Sequence, residues 1–213
     1  MTKRSEMARR DPEARRQAIL EAALTVFAAE GFAAAKLDQV AETAGVAKGT
    51  IYLHFKDKQD LFEQMVREAV SPVIGRLEAL AKLPELPADM VLRGMYEVFR
   101  TELLGTSRKE LLRLVLAEGP RFPAIAEFYH REVVSRGLKL LGGILERARE
   151  KGELRSDGVA RFPQLVIAPL LLALIWDGLF APIAALDVKG LLEVYRELLL
   201  SGPGQNGGEE RTP

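Results

Sequence analysis

The apolar residues of this chain recur at intervals of three and four, and nowhere do they alternate, so its segments suit helices and not half-buried strands. Pro12 stands at an N1 position after Asp11, and Ile19, Ala23, Val26 and Phe27 keep one face apolar until Gly31. This predicts a helix over 12–30. Leu37, Val40 and Ala41 predict a short second helix over 37–43 that stops at Gly45, where positive φ is cheap and a tight turn between crossing helices can form. A third helix is expected over 48–55. A fourth starts near Lys58, carries Leu61, Phe62, Met65, Val66 and Ala69 inward, and is expected to kink or end at Pro72. Beyond the break "LPELPAD", helices are expected over 88–104 and 108–118. A long one then opens at Pro123, bending at Gly137 and Gly142–Gly143, and two final helices cover 159–181 and 187–200. The fold class is all-α.

A chain of 213 residues builds one or two cores. Its 30 basic and 30 acidic residues cancel, so contact with nucleic acid requires a local basic surface. The first sixteen residues supply one: Lys3, Arg4, Arg9, Arg10, Arg15 and Arg16 outnumber Glu6, Asp11 and Glu13, forming a short arm suited to a phosphate backbone or a minor groove, or simply a solvated tail. That segment lacks the apolar run of a signal peptide, and the absence of cysteine suits a reducing compartment, so a cytoplasmic location is expected. The uncharged run Phe162–Trp176 stops at Asp177 and contains Pro163 and Pro169. It is too short for a bilayer span and reads as a helix buried on several sides, by its own domain and by a partner subunit. His54 and His130 are isolated, cysteine is absent, and no glycines form a phosphate cradle after a strand; no metal, cofactor or enzymatic centre is expected.

The densest chemistry lies in "AGVAKGTIYLHFKDKQDLF", residues 44–62. On a helical wheel Ile51 and Phe55 share the inner face of the third helix. The opposite face is centred on Gly49 and Leu53, flanked by Thr50 and Tyr52, with His54 at its edge. Such a short, nearly uncharged surface suits a groove. Gly49 allows close approach to a sugar-phosphate chain, Thr50 and Tyr52 can donate to phosphate, Lys48 and Lys58 bring charge at either end, and Leu53 can meet thymine methyl groups. The bland alternative is the ordinary surface of a three-helix unit. Residues Gly31–Leu61, through Val40–Ala41, Ala44–Gly45–Val46, Gly49–Thr50, Tyr52, His54–Phe55, Lys58 and Leu61, resemble the N-terminal domain of the TetR family of bacterial transcriptional regulators. Ala35 and Lys36 depart from the family's Thr/Ser pair, and Ala47 from a frequent serine cap; Lys36 is expected to restore a phosphate contact by charge, although a lysine at a helix N-terminus meets the dipole unfavourably.

The resemblance implies an N-terminal arm and helix-turn-helix domain over 1–57 and a helical effector-binding and dimerisation domain over 58–200; the glycine-rich tail over 201–213 is poor in apolar residues and is expected to be disordered. The resemblance implies DNA contacts from Lys48, Gly49, Thr50, Tyr52, His54 and Lys58, to which the wheel adds Leu53 and charge adds Lys36. It further implies a homodimer formed by the last two long helices, for which Leu170, Leu174, Leu191, Tyr195 and Leu198 are the interface candidates. A small, hydrophobic effector would lie among the middle helices near Tyr96, Phe99, Phe128, Tyr129, Trp176 and Asp177, although aromatics at helical spacing also serve as plain core. The expected protein is a repressor that a small molecule releases from a double-stranded DNA operator, with no membrane partner. The rival is a helical dimer acting by protein contact, its helix-turn-helix only a scaffold.

Overall fold

The computed structural model describes residues 11–83 and 85–200. The basic residues before Asp11 and the tail over 201–213 lie outside the described residues. Helices carry the described chain, and its one extended pairing is an antiparallel bridge between Leu154 and Leu200. The helices are α1 (Pro12–Ala34), α2 (Leu37–Ala44), α3 (Lys48–His54), α4 (Lys58–Ala81), α5 (Ala88–Val98), α6 (Arg108–Glu118), α7 (Pro123–Tyr129), α8 (Ser135–Glu150), α9 (Gly158–Arg161), α10 (Gln164–Leu179) and α11 (Val188–Leu199). They form two compact units. One comprises the described residues up to Pro72 together with Ser107–Val133; the other comprises Val73–Thr106 and the described residues from Val134 on.

The first unit begins as the periodicity requires. Asp11 caps α1 through a bond from the Glu13 amide at 3.0 Å, with Pro12 at the first helical position. Gly31 breaks the helix with φ 75°, so regular helix ends where the glycine predicts and residues 32–34 form a separate turn. Four rings then interlock. Phe32 meets Phe27 at 5.6 Å, Phe62 at 5.7 Å and Phe122 at 5.3 Å between centroids, the last two edge-on, a geometry that aromatic quadrupoles favour. Phe122 stands outside the sequence-predicted head, and α6 also packs directly on α1. The physical reason is area: α1 buries Ile19, Leu20, Ala23, Val26 and Phe27, a wider apolar face than the two short helices α2 and α3 can cover. The compact unit that holds α1–α3 therefore also includes α6 and α7, which lie beyond residue 57.

Some segmentations differ from expectation. Of the kink or end expected at Pro72, the end does not occur: Pro72 lies inside α4, which continues to Ala81. Beside the lost backbone bond, Ser71 Oγ donates to Arg67 O at 2.7 Å and Arg108 Nε to Ala69 O at 2.9 Å, so side chains serve carbonyls around the interruption. The helix expected from Pro123 is divided by a wide π-helical turn at His130–Val134, not by its glycines, and a second such turn at Phe99–Leu104 follows α5. Finally, Phe162 and Pro163 separate α9 from α10.

The second unit holds its own core, in which Leu92, Met95 and Tyr96 of α5 meet Leu141, Ile144 and Leu145 of α8 and Leu192 and Leu199 of α11. The Glu153 carboxylate accepts the Ala88 amide at 2.7 Å, supplying the start of α5 with the acceptor its Pro87 cap lacks. Helix α1 is long and apolar enough to pass a length test for a membrane span, but its apolar residues are those buried in the first unit's core.

Candidate nucleic-acid interface

Helix α2 ends at Gly45 in the left-handed region, φ 67° and ψ 34°, and the Val46 amide returns to Ala41 O at 3.0 Å. This closes the turn and sends the chain into α3. Ile51 and Phe55 are fully buried beneath α3, which turns its other face outward: Tyr52 is 53% exposed and Leu53 80%. Gly49 and Lys48 are exposed as well, while Thr50 and His54 are half-buried at the rim, the His54 ring 6.1 Å from that of Phe55. Covering Leu53 and the Tyr52 ring with apolar groups of a partner would remove apolar surface from water and favour the contact.

Gly49 has no structural task. A methyl group there would meet nothing within 4 Å, and its backbone is ordinary helix. Glycine weakens a helix by about 0.5–1 kcal/mol relative to alanine. Helix α3 also lacks a side-chain cap at Ala47, a loss of about 1 kcal/mol. The stability of α3 therefore comes from Ile51 and Phe55 rather than from its own ends.

The lysines divide by role. Lys48 Nζ lies 2.7 Å and 2.9 Å from the two carboxylate oxygens of Asp38 on α2, and this hydrogen bond raises the Lys48 pKa above its usual value. Lys36 exposes its side chain at the start of α2, and its amide donates to Gln39 Oε1 at 2.9 Å; this satisfies the cap residue's own amide, and no side chain caps the first turn in place of the missing hydroxyl. Lys58 corrects the sequence reading, which gave it to phosphate. Its ammonium donates to Phe32 O at 2.7 Å, Ala33 O at 2.9 Å and Ala35 O at 3.1 Å, and lies 4.8 Å from the centre of the Phe32 ring. All three donors are spent on the chain that follows Gly31. Arg16 is likewise engaged, with Glu13 at 3.2 Å, Gln64 at 3.3 Å and Glu68 at 3.5 Å.

The start of α4 is braced by a reciprocal pair the sequence reading passed over. Asp57 accepts the Asp60 amide at 2.8 Å, and Asp60 accepts the Lys56 amide at 2.9 Å while Gln64 donates to it at 3.0 Å. The Gln64 bond first, then that from Lys56, lowers the Asp60 pKa. The signal was an acid three places after an N-cap acid.

The effector candidates do not gather within one unit. Phe128 and Tyr129 belong to the first, Tyr96, Phe99, Trp176 and Asp177 to the second. Several are already engaged: the Tyr96 hydroxyl donates to Val166 O at 3.2 Å, Trp176 Nε1 to Ala184 O at 2.7 Å, and the Phe128 ring is flanked by Arg67 at 4.8 Å and Arg131 at 5.3 Å. A cleft of about 310 Å³ in the second unit is lined by Tyr96 and Leu192 together with charged groups such as Arg93, Glu97, Arg100 and Lys189.

Of the dimer candidates, Leu174 is corrected: it is wholly buried inside the single chain. Leu170 and Tyr195 are partly buried against the second unit's core, Leu191 is half-buried, and Leu198 is 59% exposed. Besides Leu198, the exposed large apolar side chains here are Leu165, Leu172, Ile175 and Leu179 of α10, Val194 of α11, and Ile183 between the two helices. Because α10 is apolar all round, periodicity alone could not tell its inner from its outer face.

A short helix thus stands outward on a glycine-closed turn, which defines a helix-turn-helix DNA-binding head joined to a helical body. The family model for bacterial regulatory proteins of the tetR family matches residues 19–65, and that for the tetracyclin repressor-like C-terminal domain matches residues 85–193. The chain is 29% identical to the HTH-type transcriptional regulator AcrR of Shigella flexneri over 87% of each protein. It is 30% identical to the HTH-type transcriptional repressor BepR of Brucella suis over 75% of this chain and 76% of that one. Among solved structures it resembles the fatty acid degradation regulator FadR of Bacillus halodurans, with TM-score 0.69 and 23% identity over 89% of this chain and 96% of that one. It also resembles FadR of Bacillus subtilis in complex with stearoyl-CoA, with TM-score 0.63 and 24% identity over 85% and 98%. The chain belongs to the TetR family and is a DNA-binding transcriptional regulator.

Proposed function

We propose that this chain is a cytoplasmic repressor that reads DNA with α3 as a homodimer and leaves its operator when a small, hydrophobic effector binds. The observation that carries the reading is the exposed Tyr52 and Leu53 on a helix whose glycine serves no packing need. Lys48, Gly49, Thr50, Tyr52, Leu53 and His54 form the DNA-facing set, with Lys36 beside them. Lys58 is withdrawn to a positioning role. One recognition helix reads only a few base pairs, so a two-fold pair reading two half-sites multiplies specificity. The stripe on α10 and α11 supplies apolar surface for such a pair, of the kind a stable dimer needs to bury. A repressor among the relatives supports the sign of regulation, and a chain of the same fold that holds stearoyl-CoA supports a hydrophobic effector.

Release requires that the effector bind the DNA-incompetent conformation more tightly; equal affinity for both states would shift nothing. A mobility-shift titration on the promoter upstream of this protein's own gene tests the reading. Sequence-selective, salt-sensitive retardation is expected, with loss of affinity in Lys48→Ala and Tyr52→Ala at unchanged melting temperature. Binding that ignores salt concentration would favour the rival, a scaffold acting by protein contact, because only phosphate neutralisation releases counterions.

A further inference from the structure

We propose that Asp38 is a built-in competitor of the DNA backbone: it holds the Lys48 ammonium in the free protein and yields it to a phosphate on binding, so that Asp38 limits the affinity of the head. The inference rests on the reading above in which Lys48 meets phosphate. Both Asp38 oxygens lie within 3 Å of Lys48 Nζ, at 2.7 Å and 2.9 Å, and the side chains are 58% (Lys48) and 61% (Asp38) exposed. The pair joins the first turn of α2 to the first residue of α3, across the turn at Gly45. Nothing in the packing requires it. Val40, Ala41, Ile51 and Phe55 are buried and hold the two helices together by themselves.

A carboxylate on the face that meets a polyanion is repelled by it, and a head shaped for maximal affinity would carry a neutral residue there. A carboxylate also offers the ammonium the same kind of anionic oxygen that a phosphate offers, so one can replace the other without Lys48 changing its charge. Lys48 is an ammonium near neutral pH in either state, and the Asp38 hydrogen bond only strengthens its hold on the proton. In the free state Asp38 already neutralises Lys48. The exchange therefore releases fewer counterions than an unpaired lysine would, and the salt dependence of binding is flattened.

The test uses the full chain and fluorescence anisotropy with two labelled duplexes of equal length, one from the promoter upstream of the protein's own gene and one of scrambled sequence. Asp38→Asn should tighten binding to both at low salt by about two- to fivefold. It should also steepen the plot of log affinity against log salt by up to about one unit. The gain should vanish when Lys48→Ala is added. Asp38→Ser should move affinity the same way, which guards against a local effect of the amide. An equal gain with and without Lys48 would assign the effect to general surface charge and overturn the proposal. Weaker binding by Asp38→Asn at unchanged melting temperature would overturn it too, showing that Asp38 aims the lysine instead of withholding it. Failure of the wild-type chain to bind either duplex in a salt-sensitive way would sink the DNA-contact reading itself and the competitor with it.

Discussion

Gly49 and Lys58 sit within ten residues of each other, and of the two only the lysine takes a role different from its sequence reading. Gly49 has open space where a side chain would stand. Gly49→Ala should raise stability by about 0.5–1 kcal/mol in chemical denaturation. It should at the same time weaken DNA binding, because the methyl group lies where the backbone must approach; tighter binding in the alanine variant would remove the reason for a glycine. Lys58 points the other way. Its ammonium satisfies three carbonyls after the break at Gly31. Lys58→Met keeps the length of the side chain and removes the donors, and should lower stability by about 1–3 kcal/mol in urea titration. The slope of DNA affinity against salt should hardly move, since no phosphate contact is lost. Lysines before a leucine look alike in sequence, and only the position of the Phe32, Ala33 and Ala35 carbonyls distinguishes a structural ammonium from a binding one.

At the scale of the element, α10 carries the sharpest contrast. Leu172, Ile175 and Leu179 recur at intervals of three and four on its exposed side, while Ala173 and Leu174 are wholly buried. If the proposed homodimer forms through this side, substituting Ile175 or Leu198 by Glu should leave the monomer folded and shift sedimentation from dimer to monomer, because a charge in a buried apolar interface is strongly unfavourable. Leu174→Ala should instead lower stability by about 2–5 kcal/mol through the cavity it opens, with the assembly state unchanged at temperatures where the chain remains folded. If Leu174→Ala dissociated the dimer without loss of stability, the inner and outer faces of α10 would be interchanged. Helix α4 teaches a different lesson. A proline suggests an end, yet α4 continues because Ser71 and Arg108 bring donors to the neighbouring carbonyls, and Arg108 lies far along the chain.

At the scale of the whole molecule, alkaline pH is expected to act on burial. Tyr129 is buried, which pushes its hydroxyl from 10.0 up to about 12. Burial, with a smaller contribution from Tyr195, raises Tyr96 as well. A phenol whose folded pKa lies above its unfolded value binds more protons in the native state between the two, so its stability is fully present below pH 10.0 and is lost as pH rises toward 12. Melting temperatures should therefore hold up to about pH 10 and fall beyond it, with the absorbance of the two buried tyrosinates, isolated by Tyr96→Phe and Tyr129→Phe difference titrations, appearing together with unfolding. A titration in which both phenols ionise near 10 while the chain stays folded would show that these rings are open to solvent.

What the sequence determined by itself was local. Apolar spacing set the helical class, Gly31 and Gly45 set where α1 and α2 stop, and Ile51 with Phe55 decided which side of α3 faces inward. Each of these follows from sterics and periodicity within a few residues. What only the tertiary structure decided depends on partners distant in the chain. Phe122 and α6 join the first unit because α1 has more apolar face than its neighbours can cover. Lys58 and Asp38 acquire their roles from carbonyls and an ammonium that folding brings near. The outer side of α10 is simply whatever its own chain leaves uncovered, since a helix apolar all round has no preferred face until something packs against it.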